Sequence, residues 1–309
     1  MDKIPELFTQ NPRLREILEQ ARRYAPTGYP ILISGETGTG KELLARYLHL
    51  HSDREAHPFL VESPGAFRDT LLESELFGVC RGAFSGADED RAGLLKEATG
   101  GTLYLDGIED AARECPGKLL RFLQDGTVRP VGGIRSCRVD LRLISSTGRS
   151  MTELRDLLRE DFFHRIGVLQ LRLPPLRERL EDLPLLAREM AREAGYRGQL
   201  PDDFVEALSR YPWPGNLREL KNAISSLALC RGDALSVDHL YDYFASMGKE
   251  EARTAGPGPF WPALAREEKR LIQEALVRHR FNKIRAAREL QVSRTWMYDK
   301  VREHGLKAG

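Results

Sequence analysis

The chain has 309 residues, 41% of them hydrophobic and 30% charged, which suits a globular protein of two or three units and excludes a disordered tail or a fibre. Its longest apolar runs, 29–33 and 101–105, fall far short of the roughly 20 residues that span a bilayer, and the N-terminus MDKIPELFTQNP has no apolar signal-peptide core. The net charge of +1 hides an asymmetry: from Ala263 to Gly309 twelve Lys/Arg face six Asp/Glu, a net of +6 on a body of −5. A small basic module behind a mildly acidic body points to a polyanion partner, and the short apolar runs leave no membrane expected. The four cysteines (Cys80, Cys115, Cys137, Cys230) lack metal-site spacing and predict reduced thiols in a cytoplasmic protein.

In chain order, short apolar runs alternate with helical stretches. Tyr29–Ser34 reads as a strand, followed by a glycine-rich turn and a helix over Glu42–His51. Phe59–Glu62, Gly101–Leu105, Leu141–Ser146 and Val168–Leu173 read as further strands. Strands separated by helices predict an α/β domain with a parallel sheet. From Leu180 the pattern turns purely helical, over Leu183–Glu193, Asp203–Arg210 and Leu217–Cys230. Met247–Pro262 (MGKEEARTAGPGPFWP) has the composition of a linker. The expected organisation is an α/β nucleotide-binding part over 1–178, a helical lid over 179–246, the linker 247–262 and a basic all-α module over 263–309.

The first strand runs into Gly35-Glu36-Thr37-Gly38-Thr39-Gly40-Lys41-Glu42, the GxxxxGK of a phosphate-binding loop between a strand and a helix. Glycines let successive N–H groups and the helix N-terminus face phosphates, with Lys41 reaching the β- and γ-phosphates. Glu42 stands where Ser or Thr usually supplies a hydroxyl to Mg²⁺. Gly100–Asp106 (GGTLYLD) ends in a carboxylate at the strand's carboxyl end, where Mg²⁺ would sit. The next position, where an ATPase usually keeps a Glu to orient water, is Gly107, and Glu109 is expected to point elsewhere. Between these motifs lie Glu73–Gly78 (ESELFG) and Gly82-Ala83-Phe84-Ser85-Gly86-Ala87, a loop of small residues around one aromatic, suited to insertion into a partner.

Together GETGTGKE, ESELFG and GAFSGA resemble the AAA+ domain of bacterial sigma-54-dependent transcription activators, whose loop reads GAFTGA; Leu173–Arg179 (LPPLRER) and Tyr211–Leu220 (YPWPGNLREL) match further motifs of that family. The resemblance runs from about Leu7 to Phe244. It implies an AAA+ P-loop domain with a helical lid, ATP and Mg²⁺ as cofactors, and a family that tolerates Glu after the loop lysine. It places Thr147 at the sensor I position, Arg218 at sensor II, and Arg159 and Arg165 as arginine fingers acting on a neighbouring subunit, hence a ring. The GAFSGA loop is implied to contact sigma-54 RNA polymerase. Three departures cluster where the γ-phosphate would sit: Gly107 for the Glu, Ser63 for its partner Asn, and Gly148 for the Asn after sensor I.

Asn282–Tyr298 reads as helix, turn, helix, the second opened by Ser293, with Leu271, Ala275 and Leu276 on a preceding helix. It resembles the Fis-type module of the same family. Arg294, Thr295 and Lys300 are placed at the recognition helix, and Arg285 and Arg288 against backbone phosphates of double-stranded enhancer DNA. With about ten residues ahead of the AAA+ region, no receiver or ligand-sensing domain is expected, which leaves control to expression level, a partner protein or a further signal. The alternative is a hydrolysis-deficient subunit of a mixed ring that binds ATP and DNA without efficient turnover.

Overall fold

The structure, a computed structural model, describes residues 9–67, 69–231, 235–247, 270, 272–276, 278–279, 283–290, 292 and 301. It divides into two compact units, one of 1–199 with 213–233, the other of 200–212 with 234–309.

The first unit is built on five parallel strands: β1 (Ile31–Ser34), β2 (Phe59–Glu62), β3 (Thr102–Asp106), β4 (Arg142–Thr147) and β5 (Leu169–Arg172), in the order β2-β3-β4-β1-β5. Every residue of β1 and β4 is buried, because helices cover both faces of a parallel sheet. Observed strand ends lie within two residues of the sequence reading. The shift matters at two places, since β3 extends to Asp106 and β4 to Thr147. Register pairs Ser34 with Thr147 and Asp106 with Ser146, so three strands deliver their last residues to one edge.

One face is covered by α1 (Pro12–Tyr24) and α2 (Lys41–Leu50), which bury Leu14, Ile17, Leu44 and Leu48 against Ile31, Ile33, Tyr104 and Ile144. Asn11 caps α1 through Leu14 N–H at 2.8 Å. Arg142, fully buried on β4, donates to the carbonyls of Ala25 and Tyr24 at the other end of α1, and burial lowers its pKa to about 10. The opposite face is covered by α3 (Ile108–Glu114), the helix Pro116–Asp125 and α4 (Glu160–Ile166), around Leu103, Leu105, Leu119, Phe162 and Ile166.

Two more helices complete this unit, α5 (Leu183–Glu193) and α6 (Asn216–Arg231). The turn before α6 is sharp, with Trp213 and Asn216 both at positive φ (49° and 52°) and both fully buried. Asn tolerates this region better than most residues. Its side chain also binds: Asn216 Oδ1 accepts from Leu176 N–H at 2.7 Å, and Nδ2 donates to Thr37 O at 3.0 Å. The next residue, Leu217, donates its N–H to Gly38 O at 2.9 Å. Gly38 sits at φ 78°, and a Cβ there would lie 2.3 Å from Gly215 O, so only glycine fits. The glycine-rich loop and the start of α6 are thus one backbone junction.

In the second unit, the helices Asp202–Ser209 and Val237–Ser246 pack through Phe204, Leu208, Leu240 and Phe244, with the Tyr211 and Phe244 rings 4.5 Å apart. A separate small core joins Ala286 and Ala287 of the helix Lys283–Glu289 to Ile272, Ala275, Leu276 and Val301.

Asn216→Ala should destabilise the first unit by roughly 2–5 kcal/mol, since a buried N–H loses its acceptor (about 1–3 kcal/mol) and Ala takes on a left-handed backbone (about 1–2 kcal/mol). Urea unfolding measures this. A loss below about 0.5 kcal/mol, the usual range for surface changes, would show that the junction contributes nothing.

Candidate nucleotide-binding site

The loop 35–40 leaves β1 at the sheet edge and hands over to α2 at Gly40, which has a left-handed φ of 102°. Each of its first five carbonyls is held from outside the loop or by its own turn. Lys41 Nζ donates to Gly35 O at 2.9 Å and Glu36 O at 3.1 Å, and Thr39 Oγ1 adds a bond to Glu36 O at 2.8 Å. Asn216 takes Thr37 O, Leu217 N–H takes Gly38 O, and the buried Arg179 donates to Thr39 O at 2.8 Å. With the carbonyls turned out, the N–H groups of Thr37, Gly38, Gly40 and Lys41 have no partner among the described residues. They form a concave row of donors at the N-terminus of α2, the geometry that receives phosphate oxygens.

The Glu36 side chain points away from that row. It accepts from both Arg177 guanidinium nitrogens at 2.5 and 2.7 Å and from Asn216 at 3.3 Å, and the Arg177 bond holds its pKa below the ordinary carboxylate range. Glu42 likewise pairs with Arg46, one helical turn on, at 3.0 Å. Both residues belong to the loop motif, yet their carboxylates are engaged by arginines.

A cleft of about 1410 Å³ opens in front of the loop. Its polar lining includes Lys41, Asp106, Glu109, Arg218 and Lys221. Leu43, Leu185, Leu186, Met190 and Leu217 give the rest an apolar lining. Burial lowers the Lys41 pKa, and the Asp106 charge partly restores it. Asp106 ends β3 exposed to the cleft, and its Oδ1 accepts from the Ser146 hydroxyl and from Tyr104 Oη at 3.3 Å. Burial also raises the Tyr104 pKa, keeping that phenol a donor. Thr147 is fully buried, with its Oγ1 accepting from Arg149 N–H at 3.1 Å, and it is Gly148 that borders the cleft.

One expectation is overturned. Glu109 does not point elsewhere but lines the cleft, because Gly107, at φ 88°, is the N-cap of α3 and starts the helix at once, so that residue 109 falls in its first turn. The Glu109 side chain is 14% exposed and its Oε1 lies 3.8 Å from Arg149 Nε. Asn216 and Arg177 lie within the two motifs Tyr211–Leu220 and Leu173–Arg179, but their parts in the site, holding the loop carbonyl of Thr37 and the Glu36 carboxylate, were not assigned from sequence.

The other expected residues lie apart from this cleft. Arg159 caps α4 and pairs with Asp161 at 2.9 Å, while Arg165 is exposed on the same helix. Neither lines the cleft. In 82–87, Gly82 N–H donates to Ala87 O at 2.8 Å and Ala87 N–H to Phe84 O at 3.0 Å, so the loop closes on itself and leaves the Phe84 ring 45% exposed. Gly82 and Gly86 both adopt positive φ (79° and 103°). The loop is braced by a second one, since Cys80 N–H donates to Val131 O at 2.9 Å and Gly132 sits directly against Ala83. Arg285 is exposed on the helix Lys283–Glu289; the Arg288 side chain, Ser293, Arg294, Thr295, Lys300 and most of the linker 247–262 lie outside the described residues.

No helix among the described residues is long and apolar enough to cross a membrane. Three families match the chain in succession: the sigma-54 interaction domain over 7–172, an AAA+ ATPase lid domain over 177–257, and bacterial regulatory proteins of the Fis family over 263–304. Hydrogenase transcriptional regulatory protein HoxA of Cupriavidus necator is 42% identical over 95% of this chain, which spans 64% of that protein. The transcriptional regulatory protein GlrR of Escherichia coli is 38% identical over 98% of this chain and 68% of its own length. The crystal structure of NtrX from Brucella abortus in complex with ATP superposes with a TM-score of 0.69 at 32% identity, covering 97% of this chain and 69% of that one.

Proposed function

The chain belongs to the sigma-54-dependent transcriptional activator family, with AAA+ and Fis-type DNA-binding regions, and from that membership we propose that it is an ATP-binding activator that acts on sigma-54 RNA polymerase through the Phe84 loop. ATP is taken with its phosphates against the N–H groups of Thr37, Gly38, Gly40 and Lys41 and the Lys41 ammonium, and its base along the apolar wall of Leu185, Leu186 and Met190. The ATP complex of the NtrX relative supports this reading. Asp106 is suited to hold Mg²⁺ with the phosphates, because hydroxyl donors fix one carboxylate oxygen and the other faces the cleft; the ion would supply neutralisation of phosphate charge. Arg218 sits beside the phosphate end of the cleft as a further cation.

Arg159 and Arg165 stand on α4 away from their own chain's cleft, the placement required of groups that complete a neighbour's site in a ring. The observation that carries the activator reading is the Phe84 tip, an aromatic held in water by a closed loop and braced from behind, with no role in the core. The basic module 263–309 serves to hold the chain on double-stranded enhancer DNA. The second reading, a mixed-ring subunit that binds ATP and DNA without efficient turnover, is favoured by one feature, Gly107 in place of the usual carboxylate.

Phe84→Ala should retain ATP binding by calorimetry and lose capture of sigma-54 in the presence of a transition-state nucleotide analogue, while Lys41→Ala should lose both. Capture of sigma-54 by Phe84→Ala at wild-type strength would remove the contact role. For the basic module, Arg294→Ala in the full chain should weaken an enhancer site by about 1–3 kcal/mol while affecting random DNA less, and wild-type affinity should fall steeply with salt. Equal losses on both DNAs would mark Arg294 as a phosphate contact without sequence preference.

A further inference from the structure

We propose that Glu109 is the carboxylate that orients the attacking water during ATP hydrolysis, two residues beyond the position that carries this group in the family pattern. The inference rests on the ATP-binding reading above.

The cleft holds several carboxylates, and the contacts separate them. Asp106 is fixed by the Ser146 and Tyr104 hydroxyls and is the metal-facing group. Glu42 is paired with Arg46, Glu189 with Arg192, and Glu193 with Lys221. Glu109 differs: its Oε2 is wholly buried and has no hydrogen-bond partner among the described residues, and its Oε1 stands 3.8 Å from Arg149 Nε, outside hydrogen-bonding range. A buried carboxylate oxygen is an expensive thing to leave without a donor. A turn of the Glu109 side chain that brings this oxygen into the cleft would give it one, from the attacking water.

Position and room agree with this role. The left-handed Gly107 starts α3 directly over the carboxyl end of β3, which brings residue 109 back toward the phosphate end. Lys41 registers the Glu109 charge as well as that of Asp106, so the carboxylate is on the side of the cleft where the γ-phosphate would lie. The two glycines that break the family pattern, Gly107 and Gly148, both border the cleft. A Cβ on Gly148 would find only Thr37 Oγ1, at 4.0 Å, and one on Gly107 only Asp110 Oδ2, at 3.6 Å. The absence of side chains at these two positions leaves open room in the cleft that Glu109 also lines. Substituting Glu at 107 would also force a left-handed backbone on a residue that resists it.

In the step assigned to it, Glu109 accepts a hydrogen bond from the water. The water oxygen bonds to the γ-phosphorus while the bond from that phosphorus to the bridging oxygen breaks. ADP leaves with the electron pair of the broken bond. The water proton passes to the Glu109 carboxylate and then to solvent, giving ADP and inorganic phosphate.

The test compares the wild-type full chain with Glu109→Gln and Glu109→Asp, at protein concentrations high enough for assembly. Phosphate release is measured at saturating ATP and ATP binding by calorimetry. Glu109→Gln should lose about 10²-fold or more in turnover, the usual size of a general-base effect, with ATP binding retained, and Glu109→Asp should recover part of the rate. Turnover of Glu109→Gln at the wild-type rate overturns the proposal. So does a joint loss of binding and turnover in Glu109→Gln, which marks Glu109 as a structural residue. Wild-type chain that binds ATP but releases no phosphate also overturns it, and leaves the mixed-ring reading standing. Wild-type chain that binds no ATP refutes the ATP-binding reading underneath.

Discussion

The fold turns on where the carbonyls of residues 35–39 go. A loop that is to offer N–H groups to an anion must send its carbonyls the other way, and each buried carbonyl then needs a donor. Here the donors are Lys41, the Thr39 turn, Asn216, Leu217 and Arg179. Three of these five come from the helical segments after β5, far along the chain. The phosphate loop is therefore completed from outside itself, by the start of α6 and by the segment around Arg177 and Arg179.

This dependence explains the special backbone at both sides of the junction. Gly38 has no room for a Cβ beside Gly215 O, and the facing turn holds Trp213 and Asn216 at positive φ. Non-glycine residues are kept in such conformations only where surrounding contacts determine them, and Asn216 has four groups within hydrogen-bonding distance to do so. Any movement of α6 must move the loop with it, which couples the position of the helical part to the state of the phosphate site.

Much of this was legible in the sequence, for reasons that differ by element. The strands stood out because fully buried parallel strands are continuous apolar runs, and the loop because its glycines have a fixed spacing after a strand. The ends of β3 and β4 were misplaced by one residue, since Asp106 and Thr147 are polar and belong to the strands only through register with Ser146 and Ser34. Glu109 reaches the cleft against expectation because the left-handed Gly107 starts a helix immediately after Asp106, a backbone turn that no side-chain pattern announces. Engagement of Glu36 by Arg177 joins residues 141 apart in sequence, and no local pattern encodes it. The exposed Phe84 was readable only through the resemblance of GAFSGA to the family loop, since a Phe among small residues is by itself more often buried.

Amide hydrogen exchange on the full chain, with and without ATP, tests the junction most directly. If the loop and the start of α6 form one nucleotide-responsive unit, ATP should slow exchange at Gly35–Lys41 and at Leu217–Leu220 together. Protection confined to the loop, or absent from both segments, would contradict the account.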